Sequence, residues 1–284
     1  MKSLFLMIAL SAPRLVAQEP TISLKIDVVA WGDDIAGLSL QPDKGKGEIT
    51  ALAFRYSKPV NYSGPALLEI YKSGSGSAIK APEPSAEDLE HQLQPLIAEE
   101  SKPTPGEASK PKQGLALELE KRREKNPTLV ALAALPTSGC RRATILLAPA
   151  AGGTFTAYVI DDDPSKLPLG QLRVHNLSSL NIAIRCNGQV KKELKTRDTL
   201  LVPGQKGQLI YELAYKLGEE WQTQENNIIP IRETEQAQML ILKSENSFFT
   251  STDGSTGGFL QIATLRRNPA QQAAAEAASQ ANRQ

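Results

Sequence analysis

From Thr21 to Ala30 apolar and polar residues alternate almost without a break, with Ile22, Leu24, Ile26, Val28 and Ala30 on one side and Thr21, Ser23, Lys25 and Asp27 on the other. A period of two marks a strand with one buried and one wet face. A second run, Ile49 to Tyr56, puts Leu52, Phe54 and Tyr56 on a common face, and a third spans Ala66 to Lys72. The Gly/Pro/Lys-rich stretch from Gly32 to Gly47 and the segment from Pro59 to Pro65 separate these runs and read as turns. From Leu129 onward, strand-length segments recur at short spacing, at about 143–148, 154–160, 171–177, 181–186, 189–195, 198–202, 208–216, 237–243 and 258–265. Asn187-Gly188 separates Ile182/Ile184 from Val190/Leu194 and predicts a hairpin, because both central residues of a type I′ turn need positive φ. Pro203-Gly204 and Asp253-Gly254 punctuate other gaps, and no long amphipathic helix intervenes to cover a parallel sheet. The pattern predicts an all-β, antiparallel fold of sandwich or barrel type.

Composition shifts between the two strand-rich regions. Pro82, Pro84, Pro95, Pro103, Pro105 and Pro111 are scattered among Glu, Lys, Ser and Ala after Gly74-Ser-Gly-Ser. We read 74–127 as a linker, partly helical or disordered, between an N-terminal β-region (19–73) and a C-terminal β-sandwich (128–267). Within it Ser85 precedes Ala86-Glu87-Asp88, with Leu89, Leu93 and Leu96 at helical spacing, which predicts a short helix. Glu118 to Lys125 carries both signs of charge and reads as a solvated face or element end. The Ala/Gln/Glu-rich tail, 268–284, lacks large apolar side chains and is expected to be disordered or a frayed helix.

Lys2 followed by the apolar run Leu4–Leu10 resembles a signal peptide ending near Ala17 or Gln18, so residues 1–18 are expected to be removed on export. The run is too short to span a bilayer, and no Cys follows closely to take a lipid. With 32 Lys plus Arg against 31 Asp plus Glu, the net charge of +1 offers no long-range attraction to nucleic acid. The expected setting is secreted or periplasmic, with an unidentified envelope or extracellular partner and no transmembrane segment in the mature chain. Export permits a disulfide between the two cysteines, Cys140 and Cys186, although Cys186 shares a strand face with Ile182 and Ile184 as a buried apolar residue would.

The catalytic inventory is thin. Only His91 and His175 occur, and His175 reads as an exposed strand histidine facing away from Leu172 and Val174. No Walker loop, HExxH, GxSxG, GxGxxG or cysteine-rich metal spacing is present, so no cofactor or metal is expected. Asp161-Asp162-Asp163-Pro164 is the most suggestive polar cluster, since carboxylates at a strand end can bind calcium or act as acid and base, but an Asp capping the turn before proline accounts for it more simply. Asp33-Asp34 invites the same reading. Of the two tryptophans, Trp31 is expected in the core, and Trp221, in a polar stretch near Tyr211 and Tyr215, is the candidate ligand-facing aromatic. Asn61 and Asn176 match glycosylation sequons.

Pro168-Leu-Gly-Gln-Leu-Arg-Val-His-Asn-Leu-Ser, Asn181-Ile-Ala-Ile-Arg-Cys-Asn-Gly and Leu201-Val-Pro-Gly-Gln together resemble uncharacterised exported bacterial β-sandwich proteins, in which such a run forms successive strands of an immunoglobulin-like sheet. The resemblance covers 167–204 and implies an immunoglobulin-like fold and a bacterial envelope setting, with no activity attached. The expectation is a non-enzymatic exported protein with a binding or structural role. The alternatives are a secreted hydrolase using carboxylates among Asp161, Asp162, Asp163, Glu219 and Glu220, and a carbohydrate-binding module.

Overall fold

The computed structural model describes residues 21–40, 48–73, 114–243, 259–271, 273 and 274. Within them the chain is all-β, with sixteen strands, the α-helix α1 (Gly114–Arg123) and helical residues at 269–271, 273 and 274. The helix expected after Ser85 lies outside the described residues.

Eight strands build the first sheet: β1 (Thr21–Ala30), β2 (Ile35–Leu40), β3 (Ile49–Ala53), β4 (Val60–Pro65), β5 (Leu67–Lys72), β6 (Leu129–Ala134), β7 (Arg142–Ala150) and β8 (Thr154–Asp161). Their order is β6-β5-β2-β3-β1-β7-β8, with β4 paired to β1. The two ends of that path, β6 and β8, also contact each other, so the sheet rolls around its apolar face. Into that face go Ile22, Leu24, Ile26, Val28 and Ala30 of β1, together with Leu68, Ile70, Ala133, Ile145 and Leu147. Fully burying an aliphatic side chain contributes about 1.5–3 kcal/mol, so this row fixes the register of β1.

The remaining strands form two four-stranded sheets. One has the order β11 (Val190–Leu194), β10 (Ile182–Cys186), β13 (Gln208–Leu217), β14 (Glu220–Pro230), and the other β12 (Thr199–Pro203), β9 (Gln171–Asn176), β15 (Gln236–Lys243), β16 (Leu260–Arg267). Both give side chains to one apolar cluster, in which Leu172, Val174, Met239 and Ile241 join Ile182, Ile184, Tyr211 and Leu213. Asn187 and Gly188 both have positive φ, and Gln189 N donates to Cys186 O, which closes the expected hairpin turn. Most ladders are antiparallel, while β1 with β3, β1 with β7, and β9 with β15 run parallel.

Several expectations need correction. The sheet begun by β1–β5 is completed by β6–β8, so residues 129–161, expected in a C-terminal unit, pair with the N-terminal region. The cause is long-range pairing: Leu67–Tyr71 of β5 finds its partner in β6 across the whole intervening segment. The linker's expected partial helicity is met at Gly114–Arg123, which is a helix with Leu119 buried against β6 and Arg122 bridging Glu118 and Glu69. Cys140 and Cys186 are both free. Cys140 packs against the first cluster and Cys186 lies inside the second, so two different cores separate the thiols. In the tail, Asn268 Oδ1 accepts from Ala270 N and Gln271 N, capping a helical turn.

Candidate functional site

The outer face of β1, from Asp27 onward, and that of β7, from Arg142 to Ala148, are covered. Val29, Trp31, Leu146 and Ala148 pack on Leu240, Leu242, Ala263 and Leu265 of β15 and β16, forming an apolar seam between the two β-units. Phe54, at positive φ just past β3, sets its ring edge-on to Trp31 at 5.3 Å. Trp31 Nε1 donates to Gln261 Oε1 at 2.9 Å, so this indole is buried as expected.

A buried polar network continues the seam. Arg142 donates through Nε (2.6 Å) and Nη2 (2.8 Å) to the two oxygens of Asp27, a bidentate pair. Arg267 Nη2 joins Asp27 (3.1 Å) to Asp162 (2.6 Å), whose Oδ2 also accepts from Thr144 Oγ1 and whose Oδ1 accepts from Gln238 Nε2, each at 2.6 Å. The Arg267 guanidinium lies 4.2 Å from the Tyr56 ring centre. Two acidic side chains thus face two guanidiniums within the seam. Burial pushes the Asp162 carboxyl upward against the opposing pull of Arg267, and burial likewise raises the Tyr56 phenol.

His175 belongs to this network, which corrects its expected exposure. Only 6% of it is accessible, because the outer face of β9 is covered where the two units meet. Its Nε2 lies 2.7 Å from Gln238 Oε1, and Gln238 Nε2 already donates to Asp162 and Tyr56. Gln238 Oε1 must therefore accept, which assigns the proton to His175 Nε2 and the lone pair to Nδ1. Burial lowers the His175 pKa to about 4, with neighbouring Arg173 adding to the effect against the Gln238 hydrogen bond.

The acidic run divides into three roles. Asp161 pairs with Lys166, which outweighs its partial burial and holds its pKa below the ordinary value. Asp162 is the network member just described. Asp163 accepts from Ser165 N (3.0 Å), Ser165 Oγ (2.8 Å) and Arg141 N (3.3 Å), capping the turn that begins at Pro164; these bonds overcome its desolvation and lower its pKa. Among the described residues no three His, Cys, Asp or Glu side chains gather as a metal site. Asp34 Oδ1 accepts from Ala53 N, a turn contact. Glu219, at the β13–β14 turn, pairs loosely with Lys216 and has no contact with the Asp161–Asp163 run among the described residues.

The expected aromatic platform is not assembled. Trp221 is 43% exposed on edge strand β14, opposite Lys216, but Tyr211 is buried with its hydroxyl on Glu225, and Tyr215 stacks on Phe259 at 5.1 Å. Of the two sequons, Asn61 is exposed, whereas Asn176 is buried with Nδ2 donating to Leu180 O and Leu194 O.

An open groove of about 630 Å³ runs where β8 meets the outer face of β9 and β12. Its polar lining includes Asp161, Lys166, Arg173, His175 and Arg197, and its apolar lining includes Leu177 and Leu201. Arg173 donates to the backbone oxygens of Asp161 and Lys166. Arg197 has φ +71°, pinned by its own N–H on Asn176 O (2.6 Å) and by Asp198, whose carboxylate takes the Lys195 N–H at 2.9 Å. Among the described residues its guanidinium makes no hydrogen bond or ion pair. Sequence reasoning missed Arg173, Arg197 and Arg267, because an isolated arginine carries no pattern until its neighbours are known.

The fold and seam define an all-β protein of two β-units locked face to face, with a composite groove beside the lock. No protein-family model and no curated protein matches the chain. No helix among the described residues is long and apolar enough to cross a membrane.

Proposed function

We propose that this is an exported, non-enzymatic protein that binds a ligand or partner in the cell envelope or outside the cell. Export is supported by Lys2 and the short apolar run that follows it. The observation that carries the binding role is the groove itself, whose walls come from both units while the Asp27–Arg142–Arg267–Asp162 network holds those units in register. A preformed groove at a junction of rigid units is where ligand sites concentrate. We read the second unit as an immunoglobulin-like sandwich, supported by its two four-stranded sheets around one apolar cluster. The hydrolase reading has less support, since Asp162 and Asp163 are occupied by structural hydrogen bonds. The aromatic-platform reading rests on Trp221 alone.

The test has two arms. Fractionation of the native cells with N-terminal sequencing is expected to recover the chain outside the cytoplasm, beginning near residue 18. Titration of the purified protein with soluble envelope components, followed by calorimetry and mass spectrometry, is expected to show saturable binding with no conversion. Retention of the first eighteen residues in the cytoplasm would overturn the export reading, and product formation would overturn the non-enzymatic one.

A further inference from the structure

The groove also constrains what it binds, and the inference that follows rests on the binding role just proposed. We propose that it takes a sugar acid: a ligand with one carboxylate and hydroxyl groups beside it, on a ring of monosaccharide size or a short chain of such rings.

Charge gives the first requirement. Lys166, Arg173 and Arg197 line the groove against one carboxylate, Asp161, and that carboxylate is paired with Lys166. Arg173 spends donors on two backbone carbonyls, which fix its guanidinium in place without neutralising it. Arg197 is the donor left without a protein acceptor among the described residues. A guanidinium presents paired N–H groups that match a carboxylate.

The backbone at Arg197 is an independent observation. Left-handed backbone favours Gly or Asn, and a long side chain there is strained. The turn nevertheless places Arg at φ +71° and holds it with two hydrogen bonds. The strain is explained if the side chain, directed along the groove wall, has a ligand to hold.

His175 supplies the second requirement. The network fixes its proton on Nε2, which leaves Nδ1 as the free acceptor of a ring that lines the groove, and a free acceptor there calls for a donor on the ligand. An ammonium would meet repulsion from the three cations, so the donor is a hydroxyl. Leu177 and Leu201 then offer an apolar wall to the C–H face of a ring. Carboxylate, adjacent hydroxyl and a ring face together describe a uronate rather than a simple fatty or amino acid.

Isothermal titration calorimetry on the full purified chain tests this with galacturonate and its trimer, against glucose, acetate and glutamate. The sugar acid is expected to bind at least tenfold more tightly than each comparison ligand, and to weaken as salt is added. Arg197→Gly is expected to reduce that affinity at least tenfold with the melting temperature unchanged or higher, since glycine relieves the strained φ; Arg197→Lys is expected to retain part of it. Absence of galacturonate binding, equal binding of acetate or glucose, or binding indifferent to Arg197→Gly would each overturn the proposal. Binding of a different envelope component with Arg197→Gly unaffected would remove the sugar-acid site and leave the general binding role standing. Cleavage of the trimer would instead remove the non-enzymatic reading and leave the site.

Discussion

At the scale of single residues, the seam shows how burial changes what a side chain does. Asp27 looked like the wet member of an alternating strand, yet it is fully buried and held by two arginines. His175 is a similar case with a measurable consequence. The unfolded chain takes up its proton near 6.5, whereas the native ring does so only near a pKa of about 4. Between those values the unfolded state binds more protons, so stability is complete above about pH 6.5 and falls as the pH is lowered toward 4. The loss attributable to His175 should be on the order of 3 kcal/mol. Denaturant unfolding of wild type and His175→Gln across this range checks it: the stability of wild type relative to the variant should rise between about pH 4 and 6.5 and level off above that, where the imidazole is neutral in both states. A difference independent of pH would mean that the ring is not buried neutral. The groups around it are Arg173 on its own strand, Asp162 through Gln238, and Asp161 and Lys166 across the groove.

At the scale of elements, strands with a regular alternation or a continuous apolar run were legible, and several without either were not. β1, Thr21–Ala30, follows the alternation, and β9, β10 and β13 fall close to their expected positions because period-two burial writes itself into the residues; β11 and β12 also fall close to theirs, although β11 has four consecutive exposed residues. β14, Glu220–Pro230, escaped because it is an edge strand with most of its side chains in water, so polarity does not alternate along it. β2 and β4 were hidden in stretches that read as turns, around Gly37 and between Pro59 and Pro65. α1 was hidden because one buried leucine, Leu119, makes no stripe. The Asn187-Gly188 hairpin, in contrast, is a local device and needed no tertiary help. At Gly188 a Cβ would meet nothing within 4 Å, so only the backbone objects to a side chain there. Gly188→Ala should therefore lower stability by about 1–2 kcal/mol with an unchanged denaturant slope, checked by urea titration. No loss of stability would mean that the turn does not hold positive φ at this position.

At the scale of the whole molecule, the first sheet depends on pairing between β5 and β6, which closes it around a core drawn from both sides of the intervening segment. A protein cut at an engineered protease site between Lys72 and Gly114 should consequently remain one particle. Size-exclusion chromatography is expected to show a single peak containing both fragments, separating only in denaturant. Two freely separating fragments would contradict the shared sheet. Fixing the relative placement of the units is then left to the seam, where removing one partner from a buried ion pair costs about 3–5 kcal/mol.

The sequence by itself determined the strand class, much of the strand placement and the type I′ hairpin, because those depend on periodicity and on the φ preferences of neighbouring residues. It also indicated that an Asp of the 161–163 run caps the turn before Pro164, which proves to be Asp163, and that Trp31 is a buried indole, since proline and apolar neighbours are local signals. Tertiary structure alone decided that 129–161 completes the first sheet and that the cysteines lie in separate cores. It also decided that Asp27, Asp162 and His175 are buried together and that Arg173 and Arg197 share a groove. The physical reason is range. Alternation and turn preference act over a few residues, whereas burial of a charge and convergence of a site depend on partners as far apart as Asp27 and Arg267, which only the folded chain brings within 3.1 Å.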